Sequence, residues 1–152
     1  MKIMFVCLGN ICRSPTAEGV MRSLVSTSSV AIEVESSGTG DWHIGKAPDR
    51  RMQSVSLNKG IDISPLRAQQ FNLSDFERFD LIVAMDESNR ADVERLRPSG
   101  CVTPVVKLLD YSSEFRGDVY DPYYGDTEGF ELTFSQIHSG CVALLEAIEH
   151  GA

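Results

Sequence analysis

The stretch Ile3-Met4-Phe5-Val6-Cys7-Leu8-Gly9-Asn10-Ile11-Cys12-Arg13-Ser14-Pro15 decides the fold. Its first five residues are wholly apolar, the pattern of a strand buried on both faces of a parallel sheet. The residues after them are polar and contain Gly, and they read as a loop. Ser14 is a good helix N-cap and Pro15 suits the first helical position. Behind them Ala17, Val20, Met21, Leu24 and Val25 recur at helical spacing and mark an amphipathic helix.

The rest of the chain repeats the alternation. Ala31 to Ser36 alternates apolar and acidic residues and predicts a second strand, with loop over 36–48. Pro48 opens a helix that stops at Gly60. Leu81 to Met85 is another buried strand, followed by a helix over 86–96 and a weaker strand from Thr103 to Val106. A long loop from Leu109 to Asp126 leads to a last helix, on which Phe134, Ile137, Cys141, Leu144, Leu145 and Ile148 form a stripe. This order predicts an α/β fold: three layers, α/β/α, around a four-stranded, mainly parallel sheet. With 152 residues, no repeat and no linker, residues 1–152 are expected to form a single domain.

Charge narrows the function. Lys+Arg 14 against Asp+Glu 22 gives a net charge of -8, which argues against nucleic acid or an anionic membrane surface as the main partner. Residues 1–79 carry 9 basic and 8 acidic residues, whereas 80–152 carry 5 and 14, so an anion site belongs in the first half. No apolar run approaches the roughly 20 residues of a membrane span, and membrane insertion is not expected. Gly9, Asn10 and Arg13 break the N-terminal apolar stretch before a signal-peptide core can form. Four cysteines without disulfide or zinc spacing suggest the cytoplasm and no metal site. His43, His138 and His150 read as solvated or structural, and Cys101 and Cys141 as core thiols.

The loop after the first strand concentrates the chemistry. Ligands of open α/β sheets bind beyond the carboxyl ends of strands, and this loop feeds a helix N-terminus that favours an anion. Gly9 lets successive N–H groups turn inward as an anion nest, Asn10 tolerates a left-handed conformation, and Arg13 offers a planar fork for two phosphoryl oxygens. Leu8, Gly9, Asn10, Ile11, Cys12, Arg13 and Ser14 thus make a candidate phosphate-binding set. The same groups would hold Cys7 as a thiolate nucleophile, with Ser14 stabilising it as leaving group. The Gly-Lys-Ser/Thr ending of a nucleotide-binding loop is missing. The second motif is Asp121-Pro122-Tyr123-Tyr124-Gly125-Asp126, in which a carboxylic acid can protonate a departing oxygen and two tyrosines can wall a pocket.

Together these motifs resemble the low-molecular-weight protein tyrosine phosphatase family. The likeness extends through Ser37-Gly38-Thr39, Trp42, Pro48-Asp49, Ala84-Met85-Asp86 and Ser88-Asn89. It implies a metal-independent, cofactor-free cytoplasmic enzyme that hydrolyses phosphotyrosine-containing proteins and small aryl phosphates through a phosphocysteine intermediate. Inorganic phosphate or vanadate would occupy the site. By the resemblance Cys7 is the nucleophile, Arg13 binds the phosphoryl group and Asp121 is the acid and then the base. Asn10, Ser14 and Ser37 would hold the loop's shape, Asp86 would lie near Arg13, and Trp42, Tyr123 and Tyr124 would wall the pocket. Cys12 would be able to form a reversible disulfide with Cys7. The chain departs from the pattern at Lys59, where several relatives place a His in the supporting network.

Three rivals remain at this stage. Arsenate reduction on the same fold needs a close pair of partner cysteines, and Cys101 and Cys141 lie 40 residues apart. A module that binds phosphotyrosine without hydrolysing it needs neither Cys7 nor Asp121. A redox sensor built on Cys7 and Cys12 is compatible with catalysis.

Overall fold

The structure, a computed structural model, describes residues 1–151. The chain alternates strands and helices: β1 (Lys2–Cys7), α1 (Arg13–Val25), β2 (Glu33–Gly38), α2 (Arg50–Asn58), α3 (Asp75–Arg78), β3 (Leu81–Ala84), α4 (Glu87–Arg95), β4 (Val105–Lys107), a 3-10 turn (Leu108–Asp110) and α5 (Thr127–Glu149). The four strands pair in the order β2-β1-β3-β4 and every pair is parallel.

β1 shows why the sheet is buried on both sides. Ile3, Phe5 and Cys7 face a core shared with Ala17, Val20 and Met21 of α1 and Ile137, Cys141 and Leu144 of α5. Met4 and Val6 face a smaller core with Phe76 of α3, Val93 of α4, Phe71 and Phe79. Each such side chain contributes about 1.5–3 kcal/mol on leaving water. The result is the expected α/β/α sandwich. Among the described residues, no helix is long and apolar enough to cross a membrane.

Chain direction reverses at the middle of the sheet. From β1 the chain moves outward to β2, then returns to β3 on the other side and continues to β4. A crevice therefore opens at the carboxyl ends of β1 and β3, the place where such sheets bind ligands.

Several boundaries differ from the sequence reading, each for a local reason. The helix starts at Arg13, ahead of the Ser14-Pro15 start, because the Cys12 carbonyl accepts from the Thr16 amide at 3.4 Å and from the Thr16 hydroxyl at 2.7 Å. The first turn closes on Cys12, and the Ser14 side chain is released from capping. β2 runs two residues later than expected, through Ser36, Ser37 and Gly38, which composition assigned to loop. β3 stops at Ala84, and β4 is three residues long, two later than expected. α3 is a four-residue helix too short for a periodic signal. α2 starts at Arg50, two residues after Pro48, because Asp49 caps it by accepting from the Arg51 amide at 2.8 Å; Gly60 follows it with φ 84°, as read.

The outer edge of β2 is covered. The Val34 carbonyl accepts from Arg22 Nη2 at 2.8 Å and the Ser36 carbonyl from Gln69 Nε2 at 2.9 Å. Gly38 donates to the Gln69 carbonyl and accepts from the Phe71 amide, both at 2.8 Å. Gly38 is also where the sheet meets the loop after β1. A Cβ there would lie 2.7 Å from the Leu8 carbonyl oxygen and 3.1 Å from the Asn10 nitrogen, both backbone atoms with little freedom to yield. Gly38→Ala is expected to destabilise the protein by about 1–3 kcal/mol, read from the urea midpoint, and to weaken vanadate inhibition.

Candidate active site

The loop between β1 and α1 forms the floor of a cavity of about 360 Å³. Asn10 sets its shape. It has φ 57°, the one left-handed non-glycine residue among those described, and its side chain is satisfied on both ends. Nδ2 donates to Ser14 Oγ at 2.8 Å and to Ser36 Oγ at 2.9 Å, and Oδ1 accepts from the Gln69 amide at 2.9 Å. Ser36 in turn donates to Glu18 at 2.7 Å, and Glu18 pairs with Arg22. Burial pushes the Glu18 carboxyl above its ordinary range, against the pull of the Ser36 bond and of Arg22. A buried polar chain thus runs beneath the floor from the loop to the β2 edge.

Cys7 lies at the start of this loop. Its Sγ accepts from the Asn10 amide at 3.2 Å and lies 3.0 Å from Ser14 Oγ. Ser14 Oγ is also 3.2 Å from the Ser37 carbonyl. The hydroxyl has one proton, so it can donate to Ser37 while Cys7 is a thiol and to sulfur when Cys7 is a thiolate. Among the described residues, the main-chain amides of Leu8, Gly9, Ile11 and Cys12 find no acceptor in the protein. Such amides at a helix N-terminus suit an anion. Burial, and then the nearby Asp49 charge, push the Cys12 thiol far up, which keeps it protonated.

Arg13 is buried at 3 % exposure. Nη1 donates to Asp86 Oδ2 at 2.7 Å and to the Val119 carbonyl at 3.2 Å, and Nη2 lies 3.6 Å from Asp121 Oδ2. Burial alone would lower the affinity of the guanidinium for its proton, but Cys7 and Asp86 outweigh it and hold the charge more firmly than usual. Asp86 is oriented by its other oxygen, which accepts from the Asn89 amide at 2.7 Å as the cap of α4. Asp121 is half-exposed on the opposite wall, where Oδ1 accepts from the Tyr123 amide at 3.2 Å.

The mouth is aromatic. Trp42, Tyr123 and Tyr124 line it, with the two tyrosine rings edge to face at 4.9 Å. All the residues read from the sequence as site residues gather here, with one change of role. The hydroxyl that braces Asn10 belongs to Ser36, while Ser37 takes part through its carbonyl and turns its own hydroxyl toward Met4 at 3.3 Å.

The family model described as low molecular weight phosphotyrosine protein phosphatase matches residues 2–151. The chain belongs to this family. The low molecular weight phosphotyrosine protein phosphatase of Dictyostelium discoideum is 39% identical over 167 residues, covering 97% of this chain and 93% of that protein. A protein tyrosine phosphatase of Entamoeba histolytica, solved with Hepes in its active site, superimposes with a TM-score of 0.95 at 34% identity and covers 99% of this chain and 98% of that one. An arginine phosphatase of Drosophila superimposes at 0.92 with 29% identity, each chain fully covered.

Several residues of this phosphatase site escaped the sequence reading. His43, read as solvated or structural, lines the cavity against Gly9, where a Cβ would lie 2.9 Å from its ring. Ser36, Gln69 and Glu18 brace the floor, and only Glu18 had a signal: Ser14, Glu18 and Arg22 form an i, i+4, i+8 polar stripe along the helix. Lys59 stands outside the network, 3.8 Å from Glu131 at the end of α2. Among the described residues no cluster of His, Cys, Asp and Glu is arranged to hold a metal ion. Asn10→Ala is expected to cost about 2–4 kcal/mol, by adding left-handed strain and orphaning the Gln69 amide, and to lower kcat/KM; urea unfolding and initial rates measure both.

Proposed function

We propose that this phosphatase hydrolyses phosphotyrosine side chains in proteins, and small aryl phosphates, in two displacements at phosphorus. Cys7 Sγ attacks as a thiolate, an S–P bond forms, and the P–O bond to the tyrosine ring breaks while Asp121 gives its proton to the departing oxygen. Water then attacks the phosphocysteine, Asp121 takes a proton from it, and phosphate leaves as the Cys7 thiolate is restored. Arg13 and the amides of Leu8, Gly9, Ile11 and Cys12 hold the equatorial oxygens, where the transition state gathers charge. Ser14 donates to the leaving thiolate, Asn10, Ser36 and Ser37 hold the loop, and Asp86 keeps Arg13 oriented.

One observation carries this reading: Cys7, Arg13 and Asp121 line one cavity, with Arg13 3.6 Å from Asp121, so nucleophile, anion clamp and acid share it. The Drosophila neighbour is named an arginine phosphatase, which makes phosphoarginine the competing substrate. The aromatic wall of Trp42, Tyr123 and Tyr124 favours an aryl ring here. Arsenate reduction finds less support, since Cys141 is fully buried and turned toward the Ala17 carbonyl. The free thiols of Cys7 and Cys12 fit a reducing compartment, the cytoplasm, and residues 1–152 act as one catalytic unit.

Hydrolysis of p-nitrophenyl phosphate in the presence of EDTA tests the nucleophile. Cys7→Ser is expected to abolish turnover and keep vanadate binding; substantial residual turnover would exclude Cys7. Asp121→Ala is expected to lower kcat/KM by about 10²–10³-fold for phenyl phosphate and far less for p-nitrophenyl phosphate, because a good leaving group needs little protonation. A higher kcat/KM on phosphoarginine than on phosphotyrosine peptides would overturn the aryl assignment.

A further inference from the structure

Asp49 and Arg51, at the start of α2, are part of no step above, yet they touch both walls of the cavity. The Asp49 amide donates to the Ile11 carbonyl of the phosphate-binding loop at 2.7 Å. The Asp49 carboxylate is gripped by Arg51 on both oxygens, Nε to Oδ1 at 3.1 Å and Nη2 to Oδ2 at 2.8 Å. Nη2 of Arg51 also donates to the Tyr123 carbonyl at 3.0 Å. The Tyr123 amide donates to Asp121 Oδ1. An unbroken path of four contacts therefore joins the loop under the phosphate to the carboxyl that faces it.

Surface ion pairs ordinarily contribute little, and Arg51 is half-exposed. This pair differs in geometry. Asp49 is mostly covered at 12 % side-chain exposure, the pairing is forked, and the guanidinium rests 4.6 Å from the centre of the buried Phe130 ring and 5.9 Å from that of Tyr123. A planar fork held on a ring face has few alternative positions, so it transmits a distance rather than merely a charge. Among the described residues, Arg51 alone on α2 donates to the Tyr123 carbonyl, and Asp121 forms an ion pair with Arg13 alone.

We propose that Asp49 and Arg51 form a strut that sets the height of the Asp121 carboxyl above the phosphate-binding loop, which makes Arg51 a positioning residue for the acid step. The inference rests on the reading of Asp121 as the acid. A carboxyl displaced by about 1 Å would lose much of its effect on a poor leaving group while the phosphate clamp stayed whole.

The test compares kcat/KM for phenyl phosphate and p-nitrophenyl phosphate in the wild type, Arg51→Met, Asp121→Asn and the double variant, with vanadate inhibition measured on each. Arg51→Met is expected to lose about tenfold on phenyl phosphate and no more than about twofold on p-nitrophenyl phosphate, with vanadate inhibition unchanged. In the Asp121→Asn background the Arg51 substitution should add nothing on either substrate, because the group it positions is gone. Equal losses on both substrates, or losses that add in the double variant, overturn the strut. If Asp121→Asn alone shows no leaving-group dependence, the acid assignment falls first and the strut falls with it. Asp49→Asn, which keeps the helix cap, provides a second variant should Arg51→Met fail to fold, and the same selective loss is expected of it.

Discussion

A guanidinium that holds its proton firmly is almost wholly buried, with one edge turned to the cavity. Arg13 is compensated by groups from three other places in the chain: Asp86 beyond β3, the carbonyl of Val119, and Asp121. A buried charge left without partners costs several kcal/mol, so these segments must converge before the core can close around Arg13. The fold reads naturally from that requirement. The carboxyl ends of β1 and β3 are adjacent, and the connection to α5 is tied to them at Val119, whose amide donates to the Met85 carbonyl at 2.9 Å and whose carbonyl accepts from Arg13. What stabilises the cation also builds the anion site, because Nη2 is left facing the cavity with only a half-exposed carboxylate 3.6 Å away.

The floor and the mouth are made by different means. Beneath the floor the side chains of Asn10, Ser36, Glu18 and Arg22 are linked donor to acceptor in one chain. Removing one member leaves its neighbours unsatisfied at about 1–3 kcal/mol each, so the loop has one shape. The mouth is exposed aromatic surface, with Tyr124 at 96% and Trp42 at 63% exposure. Those rings stabilise little and are available for contact. The interior thereby fixes the shape of the loop, while the mouth is made of residues that the fold scarcely needs.

The strand, loop and helix at the N-terminus were legible because three signals agreed: the apolar run, the Gly and Asn of the turn, and the helical stripe from Ala17 onward. Cys7, Arg13 and Asp121 were legible because their residue types and order resemble a family pattern. The bracing of Asn10 was less so. Ser36 and Ser37 are neighbours of identical chemistry, and only the pleat decides which hydroxyl faces the loop. His43 and Gln69 reach the site from segments without periodicity. The role of Arg51 and Asp49 was not legible, since a carboxylate and a basic residue at a helix start carry no information about a carbonyl 72 residues away. The misplaced start of α1 has the same root: Ser14 is a good cap by type, but the Cys7 sulfur outcompeted the helix for it.

The covering of β2 has a consequence for the molecule among its own copies. An edge strand offers unpaired peptide groups to any passing strand and so invites aggregation. Here the outward acceptors of Val34 and Ser36 are taken by the side chains of Arg22 and Gln69, and Gly38 is paired through both of its peptide groups. The opposite edge, β4, is only three residues long. Two of the blocking contacts come from the apparatus that braces the catalytic loop: Arg22 pairs with Glu18, and Gln69 holds Asn10. Solubility and activity are therefore tied together, and a substitution that loosens the loop also exposes a template for misassembly.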